Sequence, residues 1–157
     1  IEKNVDRISQ EDIMFNISPT INLFNVKATT QFVDWLFSKG LDPTKIHLNN
    51  VLTNPQWYHV NILLDTDKQE IKESFDQHIT SIGDVNGKQD LKNKYDSITS
   101  YLKNDMDDEK LNFTRAKFCE VTDMLDKHRK ENFVEIFPEL TDFYQEAKQQ
   151  YDNQWNS

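Results

Sequence analysis

Cysteine is almost absent. Cys119 is the only one among 157 residues, which excludes internal disulfides and any zinc site or iron–sulfur cluster built from several thiolates of this chain. Glycine and proline are scarce as well, at three and four residues. No P-loop, GxGxxG or GxSxG motif occurs, so phosphate cradles made by glycine-rich loops and the serine-nucleophile elbow have no basis in this sequence. Positive charge is in deficit: 18 Lys and Arg against 27 Asp and Glu give a net charge of -9. That balance repels a phosphate backbone and makes nucleic acid an unexpected partner. Long apolar runs are missing too, so neither a signal peptide nor a spanning helix is expected, and the chain reads as cytoplasmic, with no membrane partner. What remains is 36% hydrophobic and 11% aromatic, enough for one ordinary core or a small core with a helical annex.

The stretch "SIGDVNGKQD" (81–90) holds two of the three glycines and marks a turn-rich joint. Ahead of it the pattern alternates. Ile13, Phe15 and Ile17 oppose Asn16 and Ser18; Ile46 and Leu48 oppose His47 and Asn49; Tyr58, Val60 and Ile62 oppose His59 and Asn61. Period-two spacing predicts parallel strands near 12–18, 45–51 and 57–64. A helix through Phe32, Val33, Leu36 and Phe37, ended by Gly40, would cross over between the first two. A second helix is expected from Thr66, where Thr66 and Gln69 fit a capping box, with Ile71, Phe75, Ile79 and Ile82 as its buried stripe. Beyond the joint everything is helical in period: Leu91, Tyr95, Ile98 and Leu102; then Phe118, Val121 and Leu125 with Ala116 or Cys119; then Leu140, Phe143, Tyr144 and Ala147 behind Pro138. The expected architecture is α/β, the last βα units of a partial, open TIM-like barrel over 1–82, followed by a helical C-terminal extension over 83–157.

If the strands are neighbours, Asn16, Ser18, His47, Asn49, His59 and Asn61 face one concavity, and buried amides and imidazoles there require water, a ligand or each other. A sheet face that simply meets solvent accounts for the same pattern. No metal-ligand spacing surrounds His47 or His59, and no metal site is expected. The acidic "NDMDDEK" (104–110) lacks the glycine and the distal glutamate of a calcium loop. Cys119 sits at core spacing beside Glu120, which favours a buried, unreactive thiol. The basic run Lys127–Lys130 falls at a helix end, where carbonyls favour positive charge, and Glu135, Glu139 and Asp142 surround the start of the next helix, where amides favour negative charge. Between them Phe133, Ile136 and Phe137 are expected to pin both helices to a core.

That last segment also carries a resemblance. Residues 113–148, "FTRAKFCEVTDMLDKHRKENFVEIFPELTDFYQEAK", and above all "LDKHRKENFVEIFPELTDFY", resemble the C-terminal end of radical S-adenosylmethionine proteins of the twitch-domain type. "TINLFNV" (20–26), "DWL" (34–36) and "NPQWYHVNIL" (54–63) look like late strands of the same family's barrel. The resemblance implies S-adenosylmethionine and a [4Fe–4S] cluster in the complete enzyme, and cleavage to a 5′-deoxyadenosyl radical. It places Thr20, Asn22 and Asn25 toward S-adenosylmethionine and His47, Asn49 and Asn61 toward an unknown substrate, with Asn50 at a strand end beside them. The CxxxCxxC loop of that family is missing here, and Cys119 cannot replace it. The chain is therefore expected to be a C-terminal fragment or split subunit whose partner, the N-terminal part of the same enzyme, carries the cluster; alone it is expected to be inactive and to bind neither cofactor. A stand-alone acidic α/β interaction module, docking a protein on "WYHVNIL" or "FVEIFPELTDFY", is the alternative.

Overall fold

The helices form where the apolar stripes fall. In the computed structural model, which describes residues 2–10, 15–103 and 105–155, the first helices are α1 (Glu2–Gln10) and α2 (Thr29–Ser38). Then follow α3 (Asp65–Ser81), α4 (Lys88–Tyr101), α5 (Asp108–Arg129), the single turn α6 (Phe133–Ile136) and α7 (Thr141–Trp155). Ile71 and Phe75 of α3, Leu91, Tyr95 and Ile98 of α4, Ala116, Phe118 and Cys119 of α5, and Phe143 and Ala147 of α7 are all buried. One continuous hydrophobic cluster takes in these side chains, Ala116 excepted, together with Leu23, Val33, Leu36, Ile46, Leu48 and Ile62. α5 and α7 form the most extensive helix pair. Among the described residues no helix is long and apolar enough to cross a membrane.

The expected α/β architecture is not what this chain forms: among the described residues there is no strand, sheet or barrel segment. Segments 15–22 and 46–52 do run side by side, but they meet only at isolated parallel bridges, Ile17 with Ile46 and Ile21 with Val51. Hydrogen bonds from Ile17 N to Lys45 O and from His47 N to Ile17 O close the first, at 2.8 and 2.7 Å; Ile21 N to Asn50 O and Leu52 N to Ile21 O close the second, both at 2.8 Å. Pro19 lies between the two bridges and has no N–H to continue a ladder. The third expected strand, 57–64, is coiled into consecutive 3-10 turns, Gln56–Tyr58 and Val60–Ile62. Val60, Ile62 and Leu63 are buried there, and the spacing of the first two mimics a strand. An extended or tightly turned segment lying across helices buries alternate side chains as a strand does, so period two alone does not establish a sheet. Ile13, placed in the first expected strand, lies outside the described residues.

Helix ends show where sequence signals compete. α3 begins at Asp65 with Leu64 as its N-cap and no side-chain cap, so the Thr66 capping box does not form. Gly40 takes φ 78° just past α2, in line with its expected role. Gly87, at φ 79°, precedes α4, and a Cβ there would sit 3.1 Å from both Pro43 Cβ and Thr44 Cγ2. Both the backbone angle and the close approach of the 43–45 turn require glycine.

α5 is opened by Asp107, whose carboxylate accepts from Lys110 N at 2.8 Å, and closed by Lys130 in the left-handed region at φ 58°. A Cβ is strained in that region. Lys130→Gly is therefore expected to stabilise the fold by about 0.5–1 kcal/mol, while Lys130→Ala, which keeps the Cβ, changes little. Urea unfolding of the two variants beside the parent checks this; equal midpoints for all three would show that the corner does not hold this conformation.

Candidate functional site

Sharp turning of the chain after α5 builds a cleft. Asp126 Oδ2 accepts from Phe133 N at 2.7 Å, and Asn132 Oδ1 accepts from Val134 N at 3.2 Å, fixing α6 against the end of α5. Phe133 then points inward at 4% exposure, Phe137 is half-buried and Ile136 is 49% exposed. Ile136 is thus a rim residue, not one of the pins expected of it. Phe24 and Tyr58 complete the cleft from the other side, together with Thr122, Leu125, Arg129 and Glu131, around a cavity of about 270 Å³. Phe24 lies 5.0 Å from Tyr58 and 5.2 Å from Phe137, centroid to centroid, and Phe133 lies 5.2 Å from Phe137.

The residues proposed to meet S-adenosylmethionine are brought together, but by one another. Asn22 Oδ1 accepts from Phe24 N, Asn25 Oδ1 accepts from Asn22 N, and Asn25 Nδ2 donates to Thr20 O, each at 2.9 Å. Asn50 Nδ2 donates to Thr20 Oγ1 at 3.0 Å. This knit holds the 20–25 loop in the shape that delivers Phe24 to the cleft. His47 is half-buried and Asn49 exposed. Asn61 keeps its Oδ1 buried without a hydrogen-bond partner, and no hydrogen bond among the described residues joins these three to the Thr20 group. The Asn22 and Asn25 side-chain oxygens and the Asn25 amide nitrogen are engaged with backbone of the same loop.

Among the described residues no group of three or more His, Cys, Asp and Glu side chains is placed to hold a metal ion. Cys119 is fully buried, and burial together with the nearby Asp123 carboxylate pushes its thiol up to about 12, the opposite of what a thiolate ligand needs.

Three polar constellations lie in the core that the sequence reading did not single out. His78 Nε2 meets Asp34 Oδ1 at 2.9 Å while His78 Nδ1 meets Tyr95 Oη at 2.7 Å, tying α2, α3 and α4 together. Both ring nitrogens are satisfied by this chain's own side chains, the buried Tyr95 and the exposed Asp34, and burial raises the Tyr95 hydroxyl pKa, so this relay reads as structural. Lys27 Nζ donates to Asp67 Oδ1 at 2.6 Å and to Glu139 O at 3.1 Å. Arg115, buried on α5, donates from Nε to Ile62 O and from Nη2 to Leu63 O. The signal for two of them was present: His78 and Arg115 are polar residues at core spacing within their helices' apolar stripes.

His59 is 9% exposed, its Nδ1 accepts from Asn61 N at 3.0 Å, and burial lowers its pKa from 6.5. The folded state thus refuses a proton that the unfolded chain takes up. Stability from this group is complete above about pH 6.5 and is lost as pH falls through the depressed folded value. Urea midpoints measured at about pH 7.5 and about pH 5.5 should fall more for the parent than for His59→Asn; an equal fall would show that His59 is not held neutral.

Comparison with protein-family models, with curated proteins and with solved structures finds no match.

Proposed function

We propose that this chain is the helical C-terminal part of a radical S-adenosylmethionine enzyme of the kind its sequence resembles, and that it does no chemistry itself but offers its aromatic cleft to the part that carries the cluster. The convergence of the resembling stretches supports this reading. Phe24 comes from 20–26, Tyr58 from 54–63, and Phe133 and Phe137 from 113–148, and their rings line one cleft. Stretches far apart in sequence are expected to keep a shared pattern when they build a shared surface. The barrel wall once expected of this chain forms no part of the proposal, and no catalytic step is assigned to its residues.

The reading frame upstream of Ile1 tests the family. A frame that continues into a CxxxCxxC stretch supports the proposal; an initiator codon behind a ribosome-binding site directly before Ile1 overturns it in favour of a stand-alone interaction module. At the protein level, anaerobic treatment with iron and sulfide should leave the isolated chain without [4Fe–4S] absorbance, since one thiol cannot replace the cluster's ligands. Cys119 should react with a maleimide only after denaturant is added. A stoichiometric cluster on the purified monomer would sink the division of labour.

A further inference from the structure

We propose that the aromatic cleft and the basic turn beside it dock an acidic peptide segment carrying one bulky apolar side chain. The inference rests on the reading of the cleft as a docking surface and names what it docks. A cavity of about 270 Å³ is smaller than the roughly 300–1,000 Å³ of sites that enclose a small molecule or cofactor. Its size suits a single inserted side chain, and its walls of Phe24, Tyr58, Leu125, Phe133 and Phe137 suit an apolar one. Ile136, 49% exposed at the rim, would be covered by the arriving segment.

Charge indicates the rest of the partner. Lys27, Lys68, Lys92, Lys94, Lys117 and Lys148 are each paired with a carboxylate of this chain. Lys127, His128, Arg129 and Lys130 are exposed and, like Lys72 and Lys110, make no side-chain hydrogen bond or ion pair with any described residue; they differ in being consecutive. In a chain of net charge -9, this is a local cationic surface against an anionic whole. Arg129 belongs to it and also lines the cleft, so its planar fork can grip a carboxylate next to the inserted side chain. Two carboxylates, Asp126, which accepts from Phe133 N, and Glu131, line the cleft beside Arg129. Glu131 would repel a carboxylate on its own side, which directs the partner's acids toward Arg129. The chain's overall negative field opposes an acidic partner at long range, and the basic turn acts only within about 8 Å at physiological salt. The apolar anchor therefore supplies most of the affinity, and the basic turn supplies orientation.

Fluorescence anisotropy with the full chain tests this. The probe is a fluorescein-labelled peptide of glutamates flanking a central phenylalanine. Replacing that phenylalanine by alanine is expected to weaken binding by about tenfold or more. Replacing the glutamates by lysines should weaken binding by about tenfold while leaving the apolar anchor's share, because it sets like charges against the basic turn. On the protein side, Lys127→Glu combined with Arg129→Glu should also weaken binding by about tenfold, with melting behaviour confirming the fold. The peptide-side changes need no protein variant, so the test survives a variant that does not fold. Absence of binding, equal binding of the alanine peptide, or a single-stranded RNA or anionic vesicle bound in the peptide's place would overturn the proposal. A negative result here leaves the upstream reading frame unchanged, so failure of the partner assignment and failure of the family assignment are told apart.

Discussion

Phe133→Ala should lower stability by about 3–5 kcal/mol, the usual cost of emptying a buried phenylalanine site. Phe133 is 4% exposed and its ring meets four others: Phe24 at 6.2 Å, Phe118 at 5.5 Å, Phe137 at 5.2 Å and Tyr144 at 5.2 Å. Removing it opens a void where the 20–26 loop, α5, α6 and α7 meet, and none of these can close it without giving up its own contacts. For a chain of this length the melting temperature should fall by on the order of 10 °C. Phe137, half-buried on the cleft wall, should cost less when truncated, although the sequence gives it the same pinning role as Phe133. Ile136→Ala should lie near the parent. A thermal melt of the three variants separates these cases: a Phe133→Ala protein that melts with the parent would mean that the corner is not packed as described.

The helices were legible because each carries a stripe at helical spacing that the fold buries, as at Leu91, Tyr95 and Ile98. The sheet was misread for a reason particular to the N-terminal half. Ile17, Ile21, Ile46, Leu48 and Val60 alternate with polar residues because irregular chain lies between helices and solvent, and such a segment has two unlike faces whether or not it pairs. What decides between strand and turn is where the backbone hydrogen bonds go. Here they go to isolated bridges, to 3-10 turns and to side chains such as Asn22 and Asn25, none of which leaves a periodic mark. The candidate site was half legible. Phe133 and Phe137 stood out from the sequence; Tyr58 was noted as part of an expected strand, and Phe24 lay in a stretch flagged only by resemblance. The asparagines assigned to a ligand turned out to shape the loop that places Phe24. Arg115 left a trace, a cation at core spacing, but its partners are backbone carbonyls, which no side-chain pattern announces.

That buried arginine supports the second large effect. Arg115 is 9% exposed, and its Nε and Nη2 donate to Ile62 O at 2.8 Å and Leu63 O at 3.0 Å. These carbonyls end the 3-10 turn Val60–Ile62, so the guanidinium does for this irregular segment what a ladder would do for a strand. Burial lowers the Arg115 pKa, and Glu146, Asp65 and Asp67 oppose that shift; an arginine nonetheless stays charged. Two effects compete on replacement by methionine. Removing a desolvated charge can be favourable when its partners are removed as well. Here the acceptors belong to the backbone and remain, and each hydrogen bond from a charged donor contributes about 1.5–3 kcal/mol. The loss should win, with Arg115→Met destabilising by about 3 kcal/mol and Arg115→Lys by a smaller amount, because an ammonium cannot reproduce the fork that reaches both carbonyls. Loosening should begin at 56–63, next to the Tyr58 wall of the cleft, so faster amide exchange there than in α3 or α4 is the signature to measure. An Arg115→Met protein as stable as the parent would show that water satisfies Ile62 O and Leu63 O, and that α5 holds this segment by apolar packing alone.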